Sequence, residues 1–334
     1  MKWKIPPLSS GGLILSYQCS NRCQHCLYAS SPAWQEWMTE EDADKILRGL
    51  KKHDRYLTGI HLAGGEPFLK LELVIVVVKR AVELDLPLDY VETNAFWCWN
   101  DDKTMEVFLR LKEAGLPAVL VSCSPFHLEF IPMERVNRAV RMGKKVFGDG
   151  GILIFTDYFY QQLQMVNPTH PIQLEDYLEA VGHERASMAF ATEYSLIPNG
   201  RAATRLAKLY EHRSVSNYFG EACERELSSP HHIHIDLYGN YIAGLCAGIS
   251  LGDGRDLDSL YSGIDLRERP LLERLVGGGV EALFEWAIQE FGYKERKEGY
   301  VAKCHLCLDI RRHLVEAGVG LKELVPLEFY ENLE

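Results

Sequence analysis

Six short runs of apolar, mostly β-branched residues recur along the first two-thirds of the chain, and a segment with helical character follows each of them. The runs lie at 13–17, 59–63, 90–93, 118–123, 152–155 and 193–197. The candidate helices lie at about 40–52, 70–85, 101–114, 132–147, 173–183 and 199–211. Strands that alternate with helices are typical of parallel βα units. Six units are too few for an eight-fold barrel, so the alternation predicts an α/β fold with a partial (β/α)6 TIM-type barrel.

The pattern changes after about residue 212, where the alternation stops. Residues 233–237 and 241–245 are two strand-like runs joined by Gly239-Asn240, which predicts a β-hairpin with a tight turn. Three glycines at 277–279 precede a candidate helix near 280–291, and a last helix is predicted after Cys307. We therefore expect two domains, at 1–212 and 213–334, of which the second is a smaller cysteine-rich α+β domain with a β-hairpin and helices.

Composition excludes some classes of function. The chain has 334 residues, 47% of them hydrophobic and 25% charged, with a formal net charge of −11. A nucleic-acid partner would need a basic surplus, whereas a peptide, a small molecule or an electron donor with a basic docking patch suits an acidic chain. No apolar run is long enough to cross a membrane. Without an export signal, the nine cysteines indicate a reducing compartment, the cytoplasm, where clustered cysteines hold metal more often than they form disulfides.

Three cysteines stand directly after the first predicted strand, in Cys19-Ser-Asn-Arg-Cys23-Gln-His-Cys26. In parallel βα folds the loops after the strands gather at one edge of the sheet, where ligands bind. Thiolates are the usual ligands of iron–sulfur clusters, and a cubane cluster needs four, so a local set of three leaves one iron open. A zinc site would also accept these residues, as would a ferredoxin-type run whose fourth ligand lies elsewhere, although the gaps differ from the ferredoxin pattern.

The gaps of three and then two residues between these cysteines resemble those of the radical SAM superfamily, whose members cleave S-adenosylmethionine (SAM) at a [4Fe–4S] cluster. Further segments, each at the end of a predicted strand, strengthen the resemblance. They are Ala63-Gly64-Gly65-Glu66-Pro67, Glu92-Thr93-Asn94, Ser122-Cys123-Ser124 and Pro198-Asn199-Gly200-Arg201-Ala202. The resemblance covers about residues 11–212, and His25 takes the place of the aromatic residue that usually precedes the third cysteine.

The resemblance implies a role for each segment. Cys19, Cys23 and Cys26 would hold the cluster, and its open iron would bind the amino and carboxylate groups of SAM. The turn at 63–67 would meet the SAM amino group, because glycines let backbone carbonyl groups approach a ligand and a glutamate complements an ammonium. The residues implied to contact SAM are Gly64, Gly65, Glu66, Pro67, Thr93, Asn94, Ser122, Ser124 and Arg201.

Four further cysteines, Cys223, Cys246, Cys304 and Cys307, lie in the C-terminal third. A hairpin cysteine followed at a distance by Cys-x-x-Cys resembles the auxiliary-cluster extensions called SPASM and twitch domains. A SPASM domain carries about seven cysteines, so four match the one-cluster, twitch-like version better and imply one auxiliary [4Fe–4S] cluster. Six residues separate Gly239 from Cys246, which is more than the family's usual gap. A zinc site with four thiolate ligands is the alternative.

The remaining cysteines and a group of histidines are predicted to be structural. Cys98 and Cys123 are expected to be small buried side chains in the core. His232 and His234 would share one face of the hairpin strand, which predicts an ordinary half-exposed face rather than a pair of metal ligands.

In the radical SAM family, a reduced cluster gives one electron to SAM, and the resulting 5′-deoxyadenosyl radical abstracts hydrogen from a substrate. The resemblance implies an oxygen-sensitive oxidoreductase or transferase that draws this electron from a partner such as flavodoxin or ferredoxin. A proton lost from the substrate then needs a base near the strand ends. The catalytic candidates are His127, Asp157, Tyr160 and Glu193, with Tyr28, Glu129 and Tyr158 as further residues near the strand ends.

Three functions stay open at this point. The first is modification of a peptide or protein side chain, which the Gly200-Arg201-Ala202 turn and the Cys-x-x-Cys pair favour by resemblance. The second is dehydrogenation or rearrangement of a small metabolite, since only about eighteen residues precede Cys19 and leave no room for the leader-binding domain of many peptide-modifying relatives. The third is a non-catalytic iron–sulfur electron carrier or zinc scaffold, which would neither bind nor cleave SAM.

Overall fold

The computed structural model describes residues 2–166, 168 and 170–334, and its strands form one large and one small sheet. The strands are β1 (Lys2–Trp3), β2 (Ser10–Ile14), β3 (Gly59–Ala63), β4 (Leu88–Thr93), β5 (Val119–Ser122), β6 (Ile152–Phe155), β7 (Ile233–Asp236), β8 (Tyr241–Ile242) and β9 (Ile264–Asp265). The large sheet has the order β6-β5-β4-β3-β2-β7-β8, and β1 pairs with β9 in the small sheet. All pairs from β6 to β7 are parallel, whereas β8 is antiparallel to β7.

Helices occupy the connections between the strands and most of the C-terminal third. They are α1 (Glu40–Lys52), α2 (Leu71–Glu83), α3 (Asp101–Glu113), α4 (Pro125–Leu128), α5 (Met133–Phe147), α6 (Asp157–Val166), α7 (Leu174–Val181), α8 (His183–Thr192), α9 (Arg201–Arg205), α10 (Glu224–Leu227), α11 (Leu257–Ser262), α12 (Pro270–Phe291), α13 (Lys303–Glu316) and α14 (Leu327–Glu331). Short 3₁₀ turns lie at Asp54–Tyr56, Pro67–Lys70, Asp149–Gly151, Ala207–Leu209, Val215–Tyr218 and Leu266–Glu268. Alternating strands and helices around a parallel sheet confirm the predicted α/β fold class of the partial-barrel type.

Rows of apolar side chains cross the parallel strands and form the centre of the core. Leu13 of β2 aligns with Leu62 of β3, which aligns in turn with Val91 of β4, and Val91 aligns with Val119 of β5. None of these four side chains is more than 1% exposed. Full burial of such a side chain stabilises the fold by roughly 1.5–3 kcal/mol, which explains why these short runs form strands.

The sixth strand of the parallel set is not the predicted one. Residues 193–197 form an irregular segment after α8, where Ser195 has a positive φ of 51° and Pro198 follows. Both features interrupt an extended strand, so the prediction of a strand at 193–197 is wrong. The sixth parallel position is filled by β7, which pairs with the free side of β2.

The predicted hairpin is present, and its first strand is β7. The β7–β8 connection spans 237–240, where the buried carboxylate of Asp236 accepts hydrogen bonds from the backbone N–H groups of Tyr238 and Asn240. Since β7 and β8 both belong to the large sheet, residues 213–334 contribute two strands to the N-terminal part. The division into domains at 1–212 and 213–334 stays a prediction. Among the described residues, no helix is both long and apolar enough to span a lipid bilayer.

The pairing of β2 with β7 depends on Gly11, which has no side chain. A Cβ atom at this position would lie 1.9 Å from the carbonyl oxygen of Ile233. We therefore expect Gly11→Ala to separate the two strands and lower the free energy of unfolding by about 2 kcal/mol or more, measured by urea denaturation. Gly277→Ala is the matched control, because Gly277 lies on an exposed helix face with open space around it. An equal effect of the two substitutions would contradict this account of the sheet.

Candidate active site at the strand ends

A cavity of about 310 Å³ lies where the carboxyl ends of the parallel strands meet. Parallel strands direct their carboxyl ends to the same edge, so loops that are distant in the chain come together there. The residues predicted to contact SAM that border this cavity are Gly64, Gly65, Thr93, Asn94 and Ser122. The structure therefore gathers five of the nine predicted contacts around one space.

Cys19, Cys23 and Cys26 all border the same cavity, on the loop that follows β2. The backbone N–H of Asn21 donates a hydrogen bond to Sγ of Cys19 at 3.4 Å, and its side-chain amide donates to Sγ of Cys23 at 3.8 Å. The backbone N–H of Ser30 donates to Sγ of Cys26 at 3.3 Å. Hydrogen bonds to sulfur stabilise thiolate ligands, so this donor set fits the iron–sulfur cluster that the spacing predicts.

Two of these thiols are held in the neutral form by their surroundings. Burial, followed by the nearby carboxyl group of Glu66, raises the pKa of Cys19. Burial, followed by Cys19 and Cys26, raises the pKa of Cys23. Iron binds thiolates, so loading of a cluster releases protons from the loop and becomes more favourable as the pH rises.

The glycine-rich turn after β3 packs directly against the cysteine loop. The backbone N–H of Gly65 donates to the carbonyl oxygen of Ser16 at 2.8 Å, and that of Glu66 donates to Gln18 at 2.9 Å. A Cβ atom on Gly65 would lie 2.1 Å from the carbonyl oxygen of Gln18. The glycine at this position is therefore required by the close approach of the chain's own backbone, while its predicted contact with SAM stays a prediction.

The side chain of Glu66 is buried behind the cavity wall. One carboxylate oxygen accepts hydrogen bonds from the backbone N–H of Phe68 (3.1 Å) and the hydroxyl of Thr93 (2.9 Å), and the other accepts from the backbone N–H of Asn94 (2.7 Å). Burial nevertheless raises the pKa of Glu66 to about 7. Glu66 thus orients Thr93 and Asn94, and its predicted contact with an ammonium group stays a prediction.

Two other predicted SAM contacts also lie outside the cavity lining. Pro67 is buried at the first position of a 3₁₀ turn. The hydroxyl of Ser124 is hydrogen-bonded to Nδ1 of His127 at 2.8 Å, and it is His127 that borders the cavity. Ser124 therefore reaches the cavity through the orientation of His127.

Arg201 holds the cysteine loop from behind. Its side chain is 1% exposed, and its guanidinium donates to the carbonyl oxygens of Cys23 at 2.7 Å and Ser30 at 2.9 Å. The backbone N–H of Arg201 donates to the carbonyl oxygen of Cys26 at 3.0 Å. The preceding Gly200 has a positive φ of 57°, and a Cβ atom there would lie 2.2 Å from the carbonyl oxygen of Leu27. This turn braces the loop, and a direct contact of Arg201 with SAM stays a prediction.

The structure separates the four catalytic candidates. His127 borders the cavity, and burial lowers its pKa to about 4, which keeps the imidazole neutral. Asp157 and Glu193 are exposed and do not line the cavity. Tyr160 is half-buried in α6 and does not line it either. Of the further candidates, Tyr28 borders the cavity, whereas Glu129 and Tyr158 do not.

The sequence analysis assigned no role in the site to several polar residues that border or support the cavity. They are Asn21, His61, Glu92, Tyr194 and His234. The expectation of a half-exposed face is wrong for His234, which is 3% exposed, because β7 enters the parallel sheet instead of lying on the surface. For Glu92 the sequence did contain a signal. Alternate residues of a strand share a face, so Tyr90 and Glu92 are predicted to lie on the same face of β4. The predicted core positions of Cys98 and Cys123 are confirmed, since neither side chain is exposed.

The four C-terminal cysteines lie on three segments: one precedes α10, one follows β8, and two lie in the first two turns of α13. Burial and then Cys307 raise the pKa of Cys223 to about 12, and burial and then Cys304 raise the pKa of Cys246. The amino end of a helix and nearby cations favour thiolates, and Arg311 lies close enough to act on Cys246. No group of three or more His, Cys, Asp or Glu side chains in the described ranges is arranged to hold a single metal ion.

Comparison with known proteins finds a similarity in the N-terminal part of the chain. Residues 13–147 match the model of the radical SAM superfamily. A relative, the "Putative peptide biosynthesis protein YydG" of Bacillus subtilis (strain 168), is 24% identical over 134 residues, which are 39% of this chain and 40% of the relative. The alignment thus spans well under two-thirds of that relative's length.

Solved structures show weaker likenesses. The complex of BtrN with AdoMet and 2-DOIA has a TM-score of 0.45 at 12% identity and covers 76% of this chain and 82% of its own. Native anSMEcpe with bound AdoMet and the Kp18Cys peptide has a TM-score of 0.46 at 13% identity and covers 93% and 98%. At these TM-scores the likenesses carry no information on function.

Removal of the Arg201 side chain tests its role as a brace. Arg201→Ala leaves the Ser30 carbonyl without a donor, and the Cys23 carbonyl keeps only the backbone N–H of Cys26. We therefore expect the free energy of unfolding to fall by about 2 kcal/mol. We also expect Cys19 and Cys23 to react faster with iodoacetamide, as located by mass spectrometry. Arg205→Ala, on the exposed face of the same helix, should change neither quantity. Unchanged thiol reactivity in Arg201→Ala would contradict the bracing role.

Proposed function

Because residues 13–147 match the model of the radical SAM superfamily, we propose that they form a radical SAM domain, and that the chain binds a [4Fe–4S] cluster through Cys19, Cys23 and Cys26 and cleaves SAM reductively. The observation that carries this proposal is the placement of all three thiols on one cavity, each with an N–H donor to its sulfur. A cluster with three protein ligands supplies the electron that splits SAM into methionine and a 5′-deoxyadenosyl radical, which then takes hydrogen from a substrate.

The chain's own residues position the reactants. We assign the contacts with SAM to the cavity-lining residues among those predicted, with Glu66 orienting Thr93 and Asn94. Arg201 fixes the cysteine loop through its carbonyl groups. Apolar lining residues such as Ala63 and Leu120 exclude water from the radical chemistry.

A peptide or protein side chain is the substrate that these observations favour. The relative from Bacillus subtilis is named as a peptide biosynthesis protein, which supports this class for the domain they share. Two apolar residues of the cavity lining, Phe155 and Leu245, are 43% and 40% exposed. An apolar rim at the mouth of a cavity suits a chain-like substrate that continues outside it.

Stimulation of SAM cleavage distinguishes peptides from small metabolites. We expect a pool of synthetic peptides to raise the rate of 5′-deoxyadenosine formation several-fold by protecting and using the radical. The same pool hydrolysed to amino acids is the control and should have little effect. Stimulation by a peptide-free metabolite extract alone would favour a dehydrogenase or mutase of small molecules instead.

We further propose that Cys223, Cys246, Cys304 and Cys307 hold an auxiliary [4Fe–4S] cluster. The electrostatic effect of these four thiols on one another supports this assignment, as does the match of residues 13–147 to the radical SAM superfamily. With four protein ligands, this cluster would relay electrons or brace the fold without binding substrate. The electron for SAM cleavage would come from a small redox protein such as flavodoxin or ferredoxin.

Anaerobic reconstitution tests both clusters in one preparation. We expect about eight irons per chain and formation of 5′-deoxyadenosine from SAM and dithionite. Cys23→Ala should form no 5′-deoxyadenosine and should bind about half of the iron. Cys304→Ala should also bind about half of the iron, because it loses the auxiliary cluster and keeps the SAM-binding one. Cys98→Ala is the matched control, because Cys98 is buried in the core away from both cysteine groups.

Each alternative has its own result in this experiment. About four irons with nucleoside formed would keep the radical enzyme but assign the C-terminal cysteines to zinc or to structure. A fully loaded protein that neither binds nor cleaves SAM would overturn the proposed function and leave a non-catalytic carrier.

A further inference from the structure

A row of polar side chains forms one side of the cavity, which we name the polar floor and define as Tyr28, His61, Glu92 and His234. The hydroxyl of Tyr28 lies 2.9 Å from Nδ1 of His234, and Nε2 of His234 lies 3.0 Å from Nε2 of His61. Tyr28, Glu92 and His234 border the cavity, while His61 is buried beneath them. Gly12 makes room for this row, since a Cβ atom there would lie 2.7 Å from Nε2 of His61.

The protons of this row can be assigned because both imidazoles are neutral. Burial, followed by His232, lowers the pKa of His61 to about 3, and burial, followed by His61, lowers the pKa of His234. His61 also bonds the backbone of Gly11, which we assign to its Nδ1–H because Nε2 already faces His234. Nε2 of His61 is then an acceptor, His234 donates to it, and Tyr28 donates to Nδ1 of His234. The Tyr28 oxygen therefore has only lone pairs left for the cavity.

Glu92 has no hydrogen-bond donor of its own in the described part of the chain. The nearest charged or titratable nitrogen is Nε2 of His61, which lies 3.9 Å from Oε1 and carries no proton in this assignment. About one-third of the Glu92 side chain is exposed, and it borders the cavity. Burial raises the pKa of Glu92 to about 7. A carboxylate left without a partner in a cavity is a position where a ligand donor gains most.

The remaining groups around the floor supply no positive charge. No lysine or arginine is among the described residues that line the cavity. The titratable groups that act on the floor are Tyr90, His232, Tyr194, Asp236, Cys26 and Cys246, besides Glu66 behind the wall. Burial lowers the pKa of His232 and raises the pKa of both tyrosines, so these three groups stay uncharged near neutral pH. The floor thus offers two acceptors and no competing cation.

We propose that the polar floor binds a cationic N–H donor of the substrate, a primary ammonium or a guanidinium group, through the carboxylate of Glu92 and the phenolic oxygen of Tyr28. The assignment of this group to the substrate rests on the proposed function, whereas the binding itself does not. Both acceptors border the same cavity. The two imidazoles between them link the Tyr28 hydroxyl to Glu92 through separations of 2.9, 3.0 and 3.9 Å, so a cationic group in the cavity faces both acceptors. The ammonium group of SAM has the same chemistry and is the other possible source.

The test measures binding of n-butylammonium and n-butylguanidinium to the full chain by NMR titration. The controls are n-butyrate, which has the opposite charge, and n-butanol, which has none. We expect the cations to bind at least about tenfold more tightly than either control. Their affinity should rise between about pH 5.5 and 8.5, because Glu92 loses its proton in that range. Glu92→Gln should weaken binding about tenfold and remove the pH dependence, which excludes Glu66 as its source.

Glu113→Gln, on an exposed position of α3, is the matched control and should bind as the unmodified chain does. Tyr28→Phe should weaken binding of the cations several-fold. If Glu92→Gln fails to fold, this variant and the pH profile of the unmodified chain together test whether the polar floor binds the cation. Equal binding of n-butyrate, or unchanged binding in Glu92→Gln, would overturn the proposal. Complete displacement of the probe by SAM would overturn its assignment to the substrate. The titration does not measure 5′-deoxyadenosine, so absence of cation binding would leave the proposed SAM cleavage standing. Absence of SAM cleavage would likewise leave cation binding by the polar floor standing.

Discussion

The buried carbonyl groups of the first cysteine loop are the constraint on which the rest of the site depends, because each needs a donor once water is excluded. The guanidinium of Arg201 supplies donors to Cys23 and Ser30 from one side. From the other side, backbone N–H groups of the turn at 64–66 reach the carbonyl oxygens of residues 16–18. The loop is held between two glycine-containing turns, so the positions of its three thiols follow from backbone hydrogen bonds rather than from the thiols themselves.

Local pattern predicted most of the sheet and failed at its edge. The predicted bounds of the strand at 59–63 and of the helix at 40–52 are the same as those of β3 and α1. In each segment the apolar residues recur with the period of the element and are flanked by other residues. The strand at 193–197 was wrong because apolar composition does not reveal a positive φ at Ser195. The choice of β7 instead depends on Gly11, whose missing side chain lets a distant segment approach. That contact is a property of the tertiary fold and leaves no local signal.

The candidate site was predictable where its signals are local. The spacing of the cysteines and the turns after the strands predicted eight of the residues that border the cavity, because both are short motifs tied to strand ends. Nearness to a strand end in the sequence is a weak indicator of a catalytic base. Asp157 directly follows β6, yet it begins a helix and is exposed. His61 and His234 face each other only because β7 pairs with β2 next to β3. Side chains that meet through strand order cannot be read from either strand alone.

The place of β7 in the sheet also sets the order in which the protein can mature. The backbone N–H of His232 donates to the hydroxyl of Ser10 across 222 positions of sequence, so β2 lacks one neighbour until that segment has been synthesised. Contacts of such separation form late, and the cysteine loop that continues from β2 also needs Arg201. A nascent chain on the ribosome therefore carries three unsupported thiols for most of its synthesis. Insertion of the proposed cluster into a fully supported loop therefore has to follow synthesis of β7, and reducing conditions would protect the three thiols until then.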